Sequence, residues 1–296
     1  MRLAVAPLAL LVCAACSTIQ QDEPAGTDAG GGLMIAQVQD PKSPDYHPCP
    51  STSTTCNTQT ITNAVVTWLD KFDETRDGKS AGTLYIRDVG PNHVYGGIGI
   101  YEPNFVPASL DPLPGDVLDF AGPYQEDTSI GSAVFNPKTF LPQLYEPVGT
   151  FRYEFASDFP TSWTAPQLVQ LTDLNENGGT NGATSDGNFA HGRQYMQMVV
   201  TVNDVYVSKG TSTTGGQGFR VTYPLGTCAD ITSRTCFNSS AAQISNELFD
   251  LQATDYQPGT HFASVTGIVT WFYSFHIAPR TKDDLVLASG SDAGTE

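Results

Sequence analysis

A segment rich in oxygen ligands and glycine, between positions 173 and 188, has the residue types and spacing of a calcium-binding loop. Its DLNENG run places a side-chain oxygen at every second position before a glycine that permits a sharp turn. The closing position holds Thr184 instead of a bidentate Glu. The candidate ligands are Asp173, Asn175, Asn177 and Asp186. A polar surface loop has the same composition, so we expect either no cofactor or calcium.

Aromatic side chains on candidate strands form a second constellation, because flat rings can stack on bases or sugars. The candidate ligand-binding residues are Trp68, Tyr85, Arg87 and Tyr101. Lys71, Arg76 and Lys79 add local basic charge. The alternative is that the strand aromatics fill a core or an interface between modules.

Catalytic patterns are absent from the sequence. It contains no G-x-S-x-G or H-E-x-x-H motif, and its five His residues are scattered without ligand spacing. His276 lies on a candidate strand whose alternation turns it away from the core. We therefore expect no catalytic residues and no enzyme activity, with a hydrolase whose site is unrecognised as an alternative.

Four cysteines beyond the N-terminal region form two closely spaced pairs. They predict the local disulfides Cys49–Cys56 and Cys228–Cys236, because an oxidising compartment favours local pairing. The alternative is a zinc site, but neither C-x-x-C spacing nor a nearby His pair accompanies the thiols.

Alternating apolar and polar residues predict an all-β chain. The candidate strands are Thr62–Leu69, Thr83–Asp88, Gly97–Tyr101, Asp116–Gly122, Tyr195–Val207, Gly218–Tyr223 and Phe262–Ile277. One short helix is expected over 241–251, where Ile244, Leu248 and Leu251 recur at helical spacing.

A weak internal repeat divides the body into two β domains. In each half a long strand leads to a hairpin, and then to a Pro-Gly turn at 113–116 or 257–260 that begins a further strand. The predicted division is a domain over 34–150, a packed linker over 151–165, a second domain over 166–290 and a disordered tail over 291–296.

This arrangement resembles the OB-fold, a five-stranded Greek-key barrel. The final segment is similar to the closing strands of OB-like modules that accompany exported nucleases of the endonuclease/exonuclease/phosphatase superfamily and that occur in bacterial surface lipoproteins. The residues that carry this similarity are Gly267, Pro279, Arg280, Asp284 and Leu285. The resemblance implies two OB-like Greek-key barrels in tandem, with at most a short helix in the second.

The N-terminus has the order of a signal peptide, with Arg2 ahead of a short apolar run that ends in small residues. That run is about half of the roughly 20 residues needed to span a bilayer. Ala14, Ala15 and Cys16 resemble the bacterial lipobox, although Cys13 replaces its usual Leu. The resemblance implies a signal peptide over 1–15, acylation of Cys16 with palmitate-type chains and a flexible tether over 16–33. The alternative is an ordinary signal peptide and an unanchored protein.

The net charge of −17, from 14 basic and 31 acidic residues, disfavours nucleic-acid binding, which depends on Lys and Arg contacts with phosphates. We expect a non-catalytic lipoprotein, anchored in the bacterial envelope at the outer membrane or cell surface. It would bind or scaffold a protein, a glycan or an exported enzyme. The main competing hypothesis is an oligonucleotide-binding lipoprotein that assists an extracellular nuclease.

Overall fold

The computed structural model describes most of the predicted body. The described residues are 32–49, 56–73, 82–90, 93–101, 104–106, 108–126, 142–145, 147–153, 163–174, 192–208, 212–214, 220–230, 233, 236, 242–271 and 274–290. The predicted signal peptide, Cys16, nearly all of the tether and the C-terminal tail lie outside them. No helix among these residues combines the length and the apolar character needed to cross a membrane.

The first barrel closes through five strands. The strands of this half are β1 (Thr58–Leu69), β2 (Leu84–Asp88), β3 (Gly97–Tyr101), β4 (Asn104–Val106), β5 (Val117–Gln125), β6 (Gln143–Tyr145) and β7 (Val148–Tyr153). The barrel order is β1-β2-β3-β6-β5, and β5 pairs again with β1. Only the β3–β6 pair in this ring is parallel. β7 and then β4 extend the sheet beyond β5.

The second barrel repeats this topology. Its strands are β8 (Gln167–Leu168), β9 (Val199–Val207), β10 (Ser212–Thr214), β11 (Arg220–Gly226), β12 (Gln243–Ser245), β13 (His261–Trp271), β14 (Phe275–Ala278) and β15 (Leu285–Leu287). The ring runs β9-β11-β12-β14-β13 and returns to β9, with β12 and β14 parallel. The predicted pair of OB-like Greek-key barrels in tandem is therefore confirmed.

The opening strands of both barrels have a left-handed residue at equivalent places. Asn63 in β1 and Asp204 in β9 have φ values of 56° and 55°. The register of β1 against β5 shifts around Asn63, as expected where an extra residue is inserted in one strand. The register of β9 against β13 is continuous past Asp204.

The two Pro-Gly turns also match, and the predicted equivalence is confirmed. Gly115 and Gly259 adopt φ values of 100° and 89°, which glycine tolerates without a steric penalty. Each glycine N–H donates to the opening strand of its own barrel, Gly115 to the Val66 carbonyl and Gly259 to the Val207 carbonyl, both at 2.8 Å. The repeat is therefore present in backbone hydrogen bonding as well as in strand order.

The helix predicted over 241–251 is wrong. Residues 243–245 form β12, and bends follow them. Ile244 and Leu251 enter the barrel core whereas Leu248 packs outside it, so a strand followed by a turn produces the same apolar spacing as a helix.

The described α-helix, α1 (Ile35–Gln39), instead belongs to the first barrel. Its residues Ile35 and Val38 enter that barrel's core. The Asp88 carboxylate accepts the N–H groups of Ile35 and Ala36 at 2.6 and 3.0 Å, which satisfies donors that a helix start leaves unpaired.

Further boundaries differ from the sequence expectation. Residues 195–198 form a turn before β9, not its beginning, and the predicted linker begins within β7. Leu33, assigned to the tether, forms a β-bridge with Ile61. Long-range backbone pairings, of β7 with β5 and of Leu33 with Ile61, decide the last two boundaries.

Both predicted disulfides are present. The Cα atoms are 5.6 Å apart in Cys49–Cys56 and 5.2 Å apart in Cys228–Cys236, within the usual range for a disulfide. The four thiols are therefore used in covalent bonds, which excludes the zinc alternative.

Candidate functional site

A buried junction joins the two barrels. We call it the junction and define it by the apolar side chains that meet there. They are Trp68 and Tyr85 from the first barrel, and Val199, Leu248, Ile268 and Ala278 from the second. Ile268 and Ala278 are fully buried although they face away from their own barrel core. The outer faces of the two barrels are thus packed against each other.

The junction covers the face of the first barrel that binds ligands in many OB-folds, the outer side of the second and third strands. A Cβ atom on Gly97 would lie 2.7 Å from Met198 Cγ and 2.8 Å from the Gln197 carbonyl oxygen, so only glycine allows this approach. The Gly99 N–H donates to Gln197 Oε1 at 2.6 Å. Residues of the second barrel therefore occupy the face formed by β2 and β3.

The aromatic and basic residues proposed for ligand binding lie at this covered face. Tyr85 is buried and Trp68 is partly buried in the junction. Burial also lowers the pKa of Arg87, whose guanidinium donates to the Ala165 carbonyl at 2.8 Å. Tyr101 ends β3, and its side chain lies outside the described part of the structure. Trp68 and Tyr85 pack between the two modules, as in the alternative to ligand stacking that the sequence analysis raised. Ligand stacking on these two residues stays a prediction.

A polar clamp fixes one side of the junction. Arg193 forms two charged hydrogen bonds with Glu126, and both residues are about 95% buried, with exposed fractions of 5% and 4%. The second guanidinium nitrogen also donates to the Tyr124 hydroxyl at 3.1 Å, and the guanidinium carbon lies 5.2 Å from the centre of the Tyr95 ring. Burial and the Glu126 charge raise the pKa of Tyr46, another contact of the clamp, to about 12. The clamp ties the turn before β9 to the end of β5.

A second polar group, which we call the seam cluster, lies on the outer face of β12, β14 and β13. In the strand register Gln243 is opposite His276, which is opposite Thr270. Their neighbours Ile244 and Ile277 enter the barrel core, so the polar side chains point outward. The other members of the cluster are Ser245, Glu247 and Ser274.

Hydrogen bonds order the seam cluster around one carboxylate. Glu247 Oε1 lies 2.5 Å from His276 Nδ1 and accepts from the Ser245 hydroxyl at 3.2 Å. Burial alone would raise the pKa of Glu247, but the charge and hydrogen bond of His276 outweigh it and hold this pKa at about 2. Glu247 is therefore ionised across the physiological range.

Asp70, which follows β1 in the first barrel, is a second buried carboxyl group, with an exposed fraction of 6%. Burial raises the pKa of Asp70 to about 6, and the Glu247 charge raises it further against the lowering effect of the Phe72 N–H. The seam cluster thus offers hydrogen-bond donors and acceptors around one ionised carboxylate, Glu247.

The calcium candidates are only partly described. Asp173 lies within a 3₁₀ turn over Leu171–Leu174, and its Oδ2 accepts the Gln170 N–H at 2.9 Å. Asn175, Asn177 and Asp186 lie outside the described residues. Within the described part of the chain, no three His, Cys, Asp or Glu side chains converge as a metal site. Calcium binding stays a prediction.

Sequence reasoning missed most members of these groups. Only His276 stood out, and alternation correctly turned it away from the core, but its partner Glu247 is 29 positions earlier. Glu126 and Arg193 are separated by 67 positions and carry no motif. No protein-family model matches the chain, and the curated proteins contain no match to it.

Proposed function

We propose that the protein is a non-catalytic, lipid-anchored binding module of the bacterial envelope. The observation that carries this proposal is the asymmetric use of two like barrels. The outer side of β2 and β3 is covered in the first barrel. On the equivalent strands β11 and β12, the outer residues Arg220, Pro224 and Gln243 are half-buried, whereas Thr222 and Ser245 between and beside them are buried. We call this second surface the β11–β12 face. It is supported as the ligand-binding surface because strands two and three bind ligands in other OB-folds.

A glycan is the ligand class that best fits the chemistry of the β11–β12 face. Arg220 supplies donors, Glu247 supplies acceptors and Gln243 supplies both, while sugar hydroxyls donate and accept hydrogen bonds. The Arg220 charge also contributes to the low pKa of Glu247. The phosphate backbone of a nucleic acid would be repelled by the Glu247 charge and by the net charge of −17.

Arg220→Glu is expected to weaken binding of the full chain to purified bacterial cell-wall glycan by about tenfold or more, because a hydrogen bond from a charged group contributes about 1.5–3 kcal/mol. Isothermal titration of the unlipidated Cys16→Ser protein measures this. Arg152→Glu is the matched control, since Arg152 lies on the first barrel in an ion pair with Asp119. Equal weakening in both variants, or no binding before substitution, contradicts the proposal. Salt-dependent binding of single-stranded DNA would favour the oligonucleotide hypothesis instead.

Cys16→Ser is expected to move the protein from the membrane fraction to the soluble fraction without changing its thermal unfolding, because the acyl chains alone would hold it at the bilayer. Fractionation of the native host followed by immunoblotting measures the distribution. Cys13→Ser is the control and should leave the protein in the membrane fraction. A Cys16→Ser protein that remains there would rule out the anchor.

A further inference from the structure

Two aromatic side chains stack on the outer face of the second barrel, where β9 pairs with β13. Tyr206 is opposite His261 in the strand register, and their ring centres are 4.0 Å apart with planes 11° from parallel. Their neighbours Val205 and Phe262 enter the barrel core, so both rings point outward. The His261 side chain has an exposed fraction of 29%, and Tyr206 is half-buried. The pair is therefore an aromatic surface that solvent reaches.

An exposed carboxylate adjoins the two rings. His261 Nε2 lies 2.7 Å from Asp204 Oδ1, and this nitrogen carries the proton because a carboxylate only accepts. The Asp204 side chain has an exposed fraction of 76%, and its Oδ2 has no hydrogen-bond partner within the described part of the chain. Val202 and Val205 both enter the core, which leaves Asn203 and Asp204 on the outer side. The left-handed φ of 55° is one that Asp adopts more readily than most residues.

The first barrel closes the equivalent place. The N–H of its left-handed residue, Asn63, donates at 2.8 Å to Asp119, which forms an ion pair with Arg152. The two ring positions are occupied by Val65 and Val117, which are opposite each other in the strand register and have exposed fractions of 0% and 1%. Because the two barrels share one topology, the fold itself does not require a polar, partly exposed aromatic pair here.

We propose that Tyr206, His261 and Asp204 form a sugar-binding subsite on the outer face of β9 and β13. The rings offer an apolar surface for the C–H side of a sugar, while Asp204 and the exposed Asn203 offer partners for its hydroxyl groups. The Asp204 carboxylate disfavours an anionic ligand, so the subsite fits a neutral sugar. Tyr206 also pairs with Gly226, the last residue of β11, so the subsite adjoins the β11–β12 face. The proposal rests on the glycan class proposed above, but not on binding at the β11–β12 face.

Titration of the full unlipidated chain with a neutral oligosaccharide of N-acetylglucosamine, followed by NMR, tests the subsite. We expect the ring resonances of Tyr206 and His261 to shift and to show saturation transfer to the sugar. Tyr206→Ala should weaken binding by about fivefold or more, because truncation of a tyrosine that anchors a ligand removes much of the binding energy. Tyr206→Phe is the matched control, since it keeps the ring and should bind as the unsubstituted chain does.

The outcomes separate the subsite from the β11–β12 face. Shifts confined to Arg220 and Gln243–Ser245, with the Tyr206 ring unmoved, would overturn the subsite and leave the proposed function intact. Tyr206 ring shifts that persist undiminished in Arg220→Glu would support the subsite and count against the β11–β12 face. If cell-wall glycan binds but the oligosaccharide does not, the subsite alone is overturned. The ring resonances of the unsubstituted chain decide the question if Tyr206→Ala fails to fold.

Discussion

Arg193→Ala is expected to lower the free energy of unfolding by about 3–5 kcal/mol, because it leaves the buried Glu126 carboxylate without its charged partner. Glu126 has an exposed fraction of 4%, so water cannot replace the guanidinium without opening the clamp. The Tyr124 hydroxyl also loses Arg193 Nη2, the donor that it shares with Glu126. Chemical denaturation at neutral pH measures the loss.

The matched control for this prediction is Arg152→Ala. Arg152 lies 3.3 Å from Asp119 in an ion pair that is partly exposed, so its removal should cost no more than about 1 kcal/mol. The double substitution Arg193→Met with Glu126→Leu should recover most of the loss, since no buried charge then remains unpaired. Similar losses for Arg193→Ala and Arg152→Ala would show that the clamp does not hold the barrels together.

Gly97→Val is expected to destabilise the protein by about 1–3 kcal/mol through overpacking at the junction. The first atom of the new side chain would lie within 3 Å of the Met198 Cα atom and of the Gln197 carbonyl oxygen, and backbone atoms cannot rotate away as side chains can. The two barrels must then move apart locally. Denaturation measures the energetic cost, and the Met198 methyl resonance reports the altered contact.

Ile98→Val distinguishes the junction from the core in the same strand. Ile98 is fully buried in the first barrel, so its shortening should cost about 0.5–1.5 kcal/mol and leave the Met198 resonance in place. If Gly97→Val keeps both wild-type stability and the wild-type Met198 resonance, the close approach of the barrels is incorrect.

The barrels could be predicted from the sequence because their determinants are local or repeated. Alternation of apolar and polar residues predicted strands such as Gly97–Tyr101. The two Pro-Gly turns predicted equivalent positions in the two halves, and the short cysteine spacing predicted the disulfides. Over 241–251 the spacing of apolar residues alone did not predict the structure, because Leu248 packs in the junction whereas Ile244 and Leu251 pack in the barrel core. The spacing of apolar residues along the chain does not show whether each one is buried in a barrel core or in the junction.

The junction could not be predicted in this way. Tyr85 and Arg87 point outward from β2, yet both are buried because residues of the second half of the chain pack over them. The pairing of Glu126 with Arg193 likewise depends on how two complete barrels meet. Whether outward-facing side chains form a ligand surface or an interface depends on what packs against them in the tertiary structure. Trp68 and Tyr85 were therefore candidates for both.

We propose that the two barrels use equivalent faces differently, one for internal packing and one for a ligand. This proposal is tested by backbone amide shift mapping of the unlipidated chain, titrated with purified cell-wall glycan. We predict that the largest shifts occur in β11 and β12, over Arg220–Gly226 and Gln243–Ser245, with β2 and β3 unchanged. Shifts concentrated in Leu84–Asp88 and Gly97–Tyr101 would rule out this division of roles between the barrels, because the face of β2 and β3 would then be open to ligand.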